Sequence, residues 1–309
     1  MMSTSKNSLV ISIRNLHKYY GRVHALRGMD LTVPKGCIFG YLGPNGAGKT
    51  TTIRCILDMI RPQSGEIRVF GLNPRKSSTE IRTRSGYLPG ELHVQDGFTV
   101  KGALDFYNRL RSRKASWSDI NKLAERLDLD LKLAMKNLSK GNKQKVGIIL
   151  AMMHKPELLL LDEPTVGLDP LMQQEVLQMI REARDDGATV FFSSHVLSEV
   201  QEIASQVAII RKGKIVEVAR TDDLINRSLC RARIRFKEPV SLSGLENVRG
   251  VAILDEGEGV ALTLQIEGEM DPLIKYLAGY PVQDLFIERP SLEEVFLAYY
   301  GKENNGEEE

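Results

Sequence analysis

The chain of 309 residues has few cysteines and no long apolar run. Its three cysteines, Cys37, Cys55 and Cys230, lie far apart without the spacing of a metal site, and their odd number predicts free thiols in a reducing compartment. No run approaches the ~20 apolar residues that a membrane-spanning helix needs, and residues 1–8 are too polar for a signal peptide. We therefore expect a chain that does not cross a bilayer by itself.

An excess of one charge is also missing. The formal net charge is +2, which argues neither for nor against binding to nucleic acid. The hydrophobic content of 42% and the charged content of 27% are ordinary for a soluble globular protein. The length is sufficient for one large domain and a small one.

The segment 43–51 matches the phosphate-binding pattern G-x-x-x-x-G-K-[ST] without a gap. Glycines let successive backbone N–H groups point into one small bowl that holds phosphate oxygens. The ammonium group of Lys49 can reach the outer phosphates, and the hydroxyl of Thr50 can bind a Mg²⁺ ion that bridges them. The candidate nucleotide-binding residues here are Gly43, Pro44, Asn45, Gly46, Ala47, Gly48, Lys49, Thr50 and Thr51.

The flanking segments support this match. Residues 36–42 are apolar enough for the strand that should enter the loop, and the spacing of apolar residues predicts a helix from Lys49 to about Ile60. The helix would aim its positive N-terminus at the phosphates. A chance glycine-rich turn would lack this context, and the glycine spacing of a dinucleotide-binding fingerprint does not fit.

The first part of the chain reads as strands, followed by a helical region. We expect an antiparallel pair of strands within residues 9–33, and further strands at 66–70 and 87–88. From 100 to 153 the apolar positions recur at helical spacing, which indicates a helical subdomain, about 92–155, inserted into the core. Its three apolar stripes are Val100, Ala103, Leu104 and Tyr107; Ile120, Leu123, Ala124 and Leu127; and Val146, Ile149, Leu150 and Met153.

Alternating strands and helices follow. Residues 158–162 form an apolar run that ends in an aspartate, which is typical of a central parallel strand with a carboxylate at its tip. Asp169-Pro170 predicts the start of a helix to about Asp186. The next strand is expected at 188–193, and a hairpin is expected within 206–218, turning at Lys212-Gly213.

The pattern of the sequence changes after about residue 226, where short strand-like segments begin. We expect a first domain of residues 1–225 and a small α+β accessory domain of residues 226–300. The second would hold strands at 232–236, 251–254 and 260–266 and two helices, the last beginning with the capping box at Ser291. Residues 301–309 are polar and mostly acidic, and we expect them to be disordered.

Further motifs follow the phosphate loop in a fixed order. Leu138-Ser139-Lys140-Gly141-Asn142 resembles the L-S-G-G-Q signature of ATP-binding cassette (ABC) proteins, and residues 158–163 resemble a Walker B strand with its following glutamate. Gly167-Leu168-Asp169 matches the D-loop and Ser194-His195 the H-loop. Over residues 9–220 the chain therefore resembles the nucleotide-binding subunit of an ABC transporter, which implies an α/β fold of the P-loop NTPase class.

The resemblance implies roles for three residues near the phosphates. Asp162, with Thr50, would hold Mg²⁺, and Glu163 would be the base for the attacking water. A surface carboxylate in a turn is the alternative for Glu163, but two acidic residues that end a buried strand are costly without a nearby cation. His195 would contact the γ-phosphate, a role that rests on the resemblance because a lone histidine is usually a surface residue.

In this family the signature binds ATP that is held by a second subunit. Ser139, Lys140, Gly141 and Asn142 would act there, at a helix N-terminus that favours an anion, although an ordinary helix cap is the alternative. Tyr20 matches the aromatic residue that stacks on adenine, and its neighbour Tyr19 competes for this role.

Two departures from the family pattern stand out. The signature carries Lys140 and Asn142 where glycine and glutamine are usual. At the Q-loop, Tyr87-Leu88-Pro89 aligns well, but Gly90 stands in place of the expected glutamine. Glu91 or Gln95 is a candidate substitute, and the sequence does not decide between them.

Three functions compete: a transporter ATPase, a soluble cassette protein acting in translation or DNA maintenance, and a P-loop kinase. One complete cassette without sustained heptads favours the first. Leu88-Pro89-Gly90-Glu91, the signature variant and the closing Pro-Ser-Leu-Glu-Glu-Val-Phe resemble the ABC-2-type exporter subfamily. The resemblance implies an ATP- and Mg²⁺-dependent ATPase that pairs with a second copy or homologue, is held by permease subunits at the cytoplasmic face of the membrane, and does not bind nucleic acid.

Overall fold

The computed structural model divides the chain into two compact units, Met1–Val218 and Ala219–Glu309. The division thus falls before the boundary at 225/226 that the sequence suggests, and helix α8 (Thr221–Asn226) belongs to the second unit. The structure describes residues 8–93, 97–111, 114–226, 230–240, 244–245, 248–257, 260–266 and 270–288.

A six-stranded sheet forms the centre of the first unit. Its strand order is β5-β6-β7-β3-β8-β9, and the pairs β5–β6, β6–β7, β7–β3 and β3–β8 are parallel. The strands are β3 (Ile38–Leu42), β5 (Ser85–Leu88), β6 (Leu158–Asp162), β7 (Thr189–Ser194), β8 (Gln206–Arg211) and β9 (Lys214–Arg220). Every residue of β3, β6 and β7 is buried, as expected of parallel strands covered on both faces.

A second, antiparallel sheet completes the core of this unit. It consists of β1 (Leu9–Tyr20), β2 (Val23–Pro34) and β4 (Ser64–Val69) in the order β2-β1-β4. The pairing of β1 with β2 confirms the predicted antiparallel pair. One apolar cluster joins this sheet to β3 and to helix α1 (Lys49–Ile56), so the helix that follows the phosphate loop is anchored by burial.

Helix α1 ends earlier than the sequence predicts. The expected end near Ile60 was wrong, because Asp58 adopts a left-handed conformation with φ 52° that an α-helix does not contain. The N–H groups of Asp58 and Met59 then turn back to the carbonyl oxygens of Cys55 and Arg54.

The predicted helical region contains three α-helices: α3 (Val100–Arg109), α4 (Trp117–Arg126) and α5 (Lys140–Met152). Thr99, Ser116 and Ser139 cap their N-termini. The three apolar stripes lie on these helices, except that Leu127 and Met153 are the C-cap residues of α4 and α5. Arg126 at the end of α4 binds Glu175 and Glu182 of helix α6 (Pro170–Asp185), with its closest nitrogen–oxygen distances at 2.6 Å. Among the described residues of this unit, α2 (Pro74–Arg84) and α7 (Leu197–Ile203) are further α-helices, and Met135–Asn137 forms a short 3-10 helix.

The second unit contains a four-stranded antiparallel sheet in the order β11-β12-β10-β13. The strands β10 (Cys230–Phe236), β11 (Val251–Gly257) and β12 (Ala261–Ile266) confirm the three predicted ones, and helix α9 (Asp271–Leu277) packs in the same apolar cluster. The edge strand β13 (Val282–Glu288) was not predicted, because its largely exposed residues do not alternate. The expected helix from Ser291 and the tail 301–309 lie outside the described residues.

Within the described part of the chain, no helix has both the length and the apolar character needed to span a membrane. The three cysteines are free thiols, as predicted. The hairpin of β8 and β9 turns at Lys212 and Gly213, both with positive φ, which confirms the predicted turn.

We expect Gly86→Ala to destabilise the first unit. A methyl group at Gly86 would collide with the carbonyl oxygen of Ala151, where α5 packs on β5. Overpacking of this kind costs about 1–3 kcal/mol. The measurement is urea unfolding followed by the fluorescence of Trp117, the single tryptophan of the chain. Gly97→Ala is the control, because no atom lies within 4 Å of the added carbon; equal unfolding midpoints for the two variants would contradict the packing argument.

Candidate nucleotide-binding site

The phosphate loop connects β3 to α1 and depends on its glycines. Gly46 and Gly48 have φ values of 81° and 116°, which L-residues with side chains rarely adopt. A Cβ atom at Gly43 would lie 2.5 Å from the carbonyl oxygen of Ile210. The N–H of Gly213 donates to the carbonyl oxygen of Ala47 at 3.0 Å, and this hydrogen bond connects the β8–β9 turn to the phosphate loop. The predicted residues Pro44, Asn45 and Gly46 are exposed at the tip, and Thr50 and Thr51 lie half-buried in the first turn of the helix.

Lys49 places a positive charge inside this loop. Its side chain is only 6% exposed, and its ammonium group donates to the carbonyl oxygen of Gly43 at 2.6 Å. The same ammonium lies 3.0 Å from Oε1 of Glu163, the expected base. A buried cation is costly unless it is paired, so the loop carries its charge only with such partners or with an anion.

Thr50 and Asp162 meet at the end of strand β6. The hydroxyl of Thr50 donates to Oδ2 of Asp162 at 2.6 Å, and the hydroxyl of Ser193 donates to Oδ1 of Asp162 at 2.6 Å. Asp162 is fully buried. These contacts place the two predicted magnesium ligands side by side. Hydroxyl and carboxylate oxygens are hard donors of the kind that Mg²⁺ prefers, so the donor set fits this ion.

Glu163 and His195 form a close pair. Nδ1 of His195 lies 2.6 Å from Oε2 of Glu163. The backbone of Glu163 is left-handed, with φ 54°, a conformation that costs about 1–3 kcal/mol for a residue with a side chain. Its N–H donates to the carbonyl oxygen of Ser193 at 3.1 Å, and this contact stabilises the strained turn.

The signature residues lie at the N-terminus of α5. Ser139 is the helix N-cap, and its hydroxyl accepts the N–H of Asn142 at 3.2 Å. Ser139 and Lys140 are exposed. A Cβ atom at Gly141 would lie 2.6 Å from the carbonyl oxygen of Gly167, so the signature packs directly on the D-loop segment. Among the described residues, the side chains of Lys49 and Thr50 connect the phosphate loop to Glu163 and Asp162.

Tyr20 and Tyr19 have different surroundings. The ring of Tyr19 stacks on His24, with centroids 3.9 Å apart and an interplanar angle of 14°. Tyr20 lies at the end of β1 with 45% of its surface exposed, and the ammonium of Lys18 lies 5.1 Å from its ring centroid. Of the two residues, Tyr20 is the more exposed, at 45% against 39% for Tyr19.

Gly90 lies beside the expected metal ligand. A Cβ atom at Gly90 would be 3.3 Å from Oδ2 of Asp162, so the backbone at Gly90 packs closely against this carboxylate. Glu91 points into solvent, with 84% of its side chain exposed, and Gln95 lies outside the described residues. Burial raises the pKa of the nearby Tyr87 phenol, and the negative charge of Asp162 adds to this effect.

Two residues that the sequence analysis did not select support the site. Ser193 holds Asp162, and Gln144 on α5 donates to the carbonyl oxygens of Glu163 and Pro164 at 2.9 and 3.0 Å. Gln144 is buried, at 5% exposure. Neither residue carries a chemical signal in the sequence; only the position of Ser193 at a predicted strand end and that of Gln144 just after the signature point to them.

Comparison with known proteins identifies the class of this site. A family model described as "ABC transporter" matches residues 26–166. An uncharacterized ABC transporter ATP-binding protein of Bacillus subtilis, YhaQ, is 31% identical over 94% of this chain and 99% of its own length. The daunorubicin/doxorubicin resistance ATP-binding protein DrrA of Streptomyces peucetius is 31% identical over 94% of this chain and 92% of its own. The bacitracin transport ATP-binding protein BcrA of Bacillus licheniformis is 36% identical over 72% and 73%.

Solved structures agree in fold. The structure of an ATP-binding subunit of an ABC transporter aligns with a TM-score of 0.64 and 26% identity, covering 70% of this chain and 91% of that one. The ATP-binding cassette MJ0796, solved as a dimer with ADP and Pi, aligns at a TM-score of 0.63 and 20% identity over 68% and 98%. These matches favour the transporter interpretation over the soluble-cassette and kinase alternatives and confirm the predicted fold class. The chain belongs to the ABC transporter family, as an ATP-binding and ATP-hydrolysing subunit of the ABC-2 exporter type.

Proposed function

We propose that this chain hydrolyses ATP with Glu163 as the base and His195 as its partner, in order to drive export through separate membrane subunits. The connected set of Lys49, Asp162, Glu163 and His195 carries the proposal. These side chains come from three different parts of the chain and meet where β3, β6 and β7 end. A surface carboxylate in a turn would not share its two oxygens between a buried lysine and a histidine.

The chemistry follows from these positions. The phosphate loop and Lys49 bind the phosphates of ATP, since backbone N–H groups and an ammonium are the donors that phosphate oxygens accept. Glu163 accepts a proton from the attacking water, and His195, on the opposite oxygen of Glu163, orients the water toward the γ-phosphate. Tyr20 stacks on the adenine ring with its exposed face.

Thr50 and Asp162 would hold Mg²⁺. Their oxygen atoms already lie together, and Asp162 is fixed from its other side by Ser193. When bound, the ion neutralises the negative charge that develops on the phosphate oxygens. The two hydroxyl donors satisfy the buried carboxylate of Asp162.

The signature completes the site of a second subunit. Ser139 and Lys140 are exposed at the N-terminus of α5, whose positive end and unpaired N–H groups favour an anion. We infer that Ser139, Lys140, Gly141 and Asn142 bind the γ-phosphate of ATP held by a second copy or a homologous subunit. Two ATP molecules would then lie at the interface of each pair, and hydrolysis would separate the subunits.

The remaining partners are integral membrane permease subunits, which would hold this chain at the inner face of the cell membrane. The relatives are named for bacitracin transport and for resistance to linearmycin and daunorubicin, which supports an exporter of antibiotic-like compounds. The compound would be bound by the permease, and this chain would supply the work. No nucleic-acid partner is part of the proposal.

The variant Lys49→Ala should lose ATP binding. A buried ammonium that donates to phosphate contributes about 1.5–3 kcal/mol to binding, so its loss should weaken the affinity for ATP about 10- to 100-fold. Calorimetric titration with ATP measures this affinity. Lys76→Ala, which removes an exposed lysine of α2, is the control and should bind as the parent does. Unchanged affinity in Lys49→Ala, with the parental fluorescence of Trp117, would show that the loop does not bind the phosphates.

The variant Glu163→Gln should stop turnover and keep ATP affinity, because the proton acceptor is lost while the phosphate loop is intact. General base catalysis contributes about 10²- to 10⁴-fold, so the rate of phosphate release should fall by that factor. Glu80→Gln, at an exposed carboxylate of α2, is the control. Hydrolysis at the parental rate in Glu163→Gln would make the assignment of the base wrong.

ATP should also pair two copies of the chain. In the Glu163→Gln variant, ATP with magnesium should convert monomer to dimer in analytical ultracentrifugation, because the nucleotide is bound but not cleaved. Adding Ser139→Ala should reduce the dimer fraction, since it removes the signature hydroxyl. A sedimentation coefficient that does not respond to saturating ATP would contradict the proposed interface.

A further inference from the structure

Glu199 is a buried carboxylate without a role in the site described so far. It lies on α7, four residues after His195, and only 7% of its surface is exposed. The hydroxyl of Thr165 donates to its Oε1 at 2.5 Å, and the hydroxyl of Ser194 donates to its Oε2 at 2.8 Å. Burial of a carboxylate is costly, and two hydroxyl donors offset part of that cost.

The two hydroxyl groups belong to the two chain segments that carry the catalytic pair. Thr165 follows Glu163 by two residues, and Ser194 directly precedes His195. Thr165 and Ser194 are 2% and 1% exposed, so both hydroxyls are held in the interior. One carboxylate thus joins the turn after β6 to the end of β7.

These bonds close a ring around the catalytic pair. From Glu199 one arm runs through Thr165 to Glu163 and the other through Ser194 to His195, and the ring closes at the 2.6 Å contact between Glu163 and His195. Glu163 has a strained backbone, and His195 is 45% exposed in its side chain, so packing alone does not fix either residue. The ring adds a constraint on their separation to the bonds that Glu163 forms with Gln144, Ser193 and Lys49.

We propose that Glu199 is a positioning residue for ATP hydrolysis: it holds Glu163 and His195 at the separation that the attack of water requires. It touches neither ATP nor the attacking water and acts through Thr165 and Ser194. The inference rests on the proposed function, because it assumes that Glu163 is the base and that His195 is its partner. A displacement of about 1 Å in such a pair is enough to lower a rate by up to 10²-fold.

The test is Glu199→Gln in the full chain, with ATP hydrolysis measured over a range of ATP concentrations. The amide keeps the shape of the side chain, but its nitrogen donates instead of accepting, so one hydroxyl must reverse its bond and both bonds lose the carboxylate charge that strengthens them. We expect kcat to fall about 10- to 100-fold, while KM, the affinity for ATP and the urea midpoint from Trp117 fluorescence stay near the parental values. Glu202→Gln is the matched control on the same helix: it removes a surface ion pair with Arg181 and should leave kcat unchanged.

Thr165→Val is a second variant that tests the inference independently. It removes one donor with little change of volume, so it should lower kcat in the same way, and its effect should not add to that of Glu199→Gln. If Glu199→Gln unfolds at a lower urea concentration, Thr165→Val carries the test.

A normal kcat in both variants would overturn the inference, and so would a loss of rate that is matched by an equal loss of ATP affinity. Failure of the proposed function is distinguishable, because Glu163→Gln would then hydrolyse ATP as the parent does. If Glu163→Gln hydrolyses ATP at the parental rate, Glu163 is not the base and the proposed function fails. If Glu163→Gln is inactive while the Glu199 and Thr165 variants have a normal kcat, only the positioning role fails.

Discussion

The site depends on one buried carboxylate at the end of a central strand. Asp162 is fully buried and accepts a hydroxyl from Thr50 on one oxygen and from Ser193 on the other. Thr50 lies on the helix after β3, Asp162 on β6 and Ser193 on β7. The strands β6, β7 and β3 are neighbours in the sheet. A buried carboxylate without both donors would cost several kcal/mol, so the three chain segments are drawn to one point. The phosphate loop acquires its place relative to the Walker B strand through this contact.

The strained backbone of Glu163 is the second constraint on the site. Glu163 directly follows Asp162 and takes a left-handed backbone, which turns its side chain away from the strand direction and toward Lys49 and His195. Hydrogen bonds from Gln144 and to Ser193 surround this turn and offset its cost. Because Gln144 lies on the helix that the signature begins, the backbone of the expected base is bonded to the element that would contact ATP of a second subunit. Any displacement of α5 would therefore strain the two hydrogen bonds from Gln144.

Much of the fold could be predicted because its strands and helices are visible as local patterns of apolar residues. The run 158–162 is apolar throughout because β6 is buried on both faces, and the stripe that contains Val146 and Ile149 lies on α5. The prediction failed where local pattern and tertiary context disagree. Helix α1 stops at Ile56 although apolar spacing continues, because Asp58 adopts a left-handed turn. The edge strand β13 was missed because an edge strand with exposed residues on both faces has no alternation.

The sequence by itself determined which chemistry this protein carries: the phosphate loop, the acidic pair at 162–163, the signature and His195 are contiguous or ordered motifs whose residue types are dictated by phosphate and water chemistry. Only the tertiary structure decided how these parts are connected. The pairing of Glu163 with both Lys49 and His195 joins residues far apart along the chain, and so do the bonds from Ser193 to Asp162, from Gln144 to Glu163 and from Thr165 to Glu199. Hydrogen bonds over such separations leave no periodicity or spacing in a sequence, because they depend on the order of strands in the sheet and not on the order of residues in the chain.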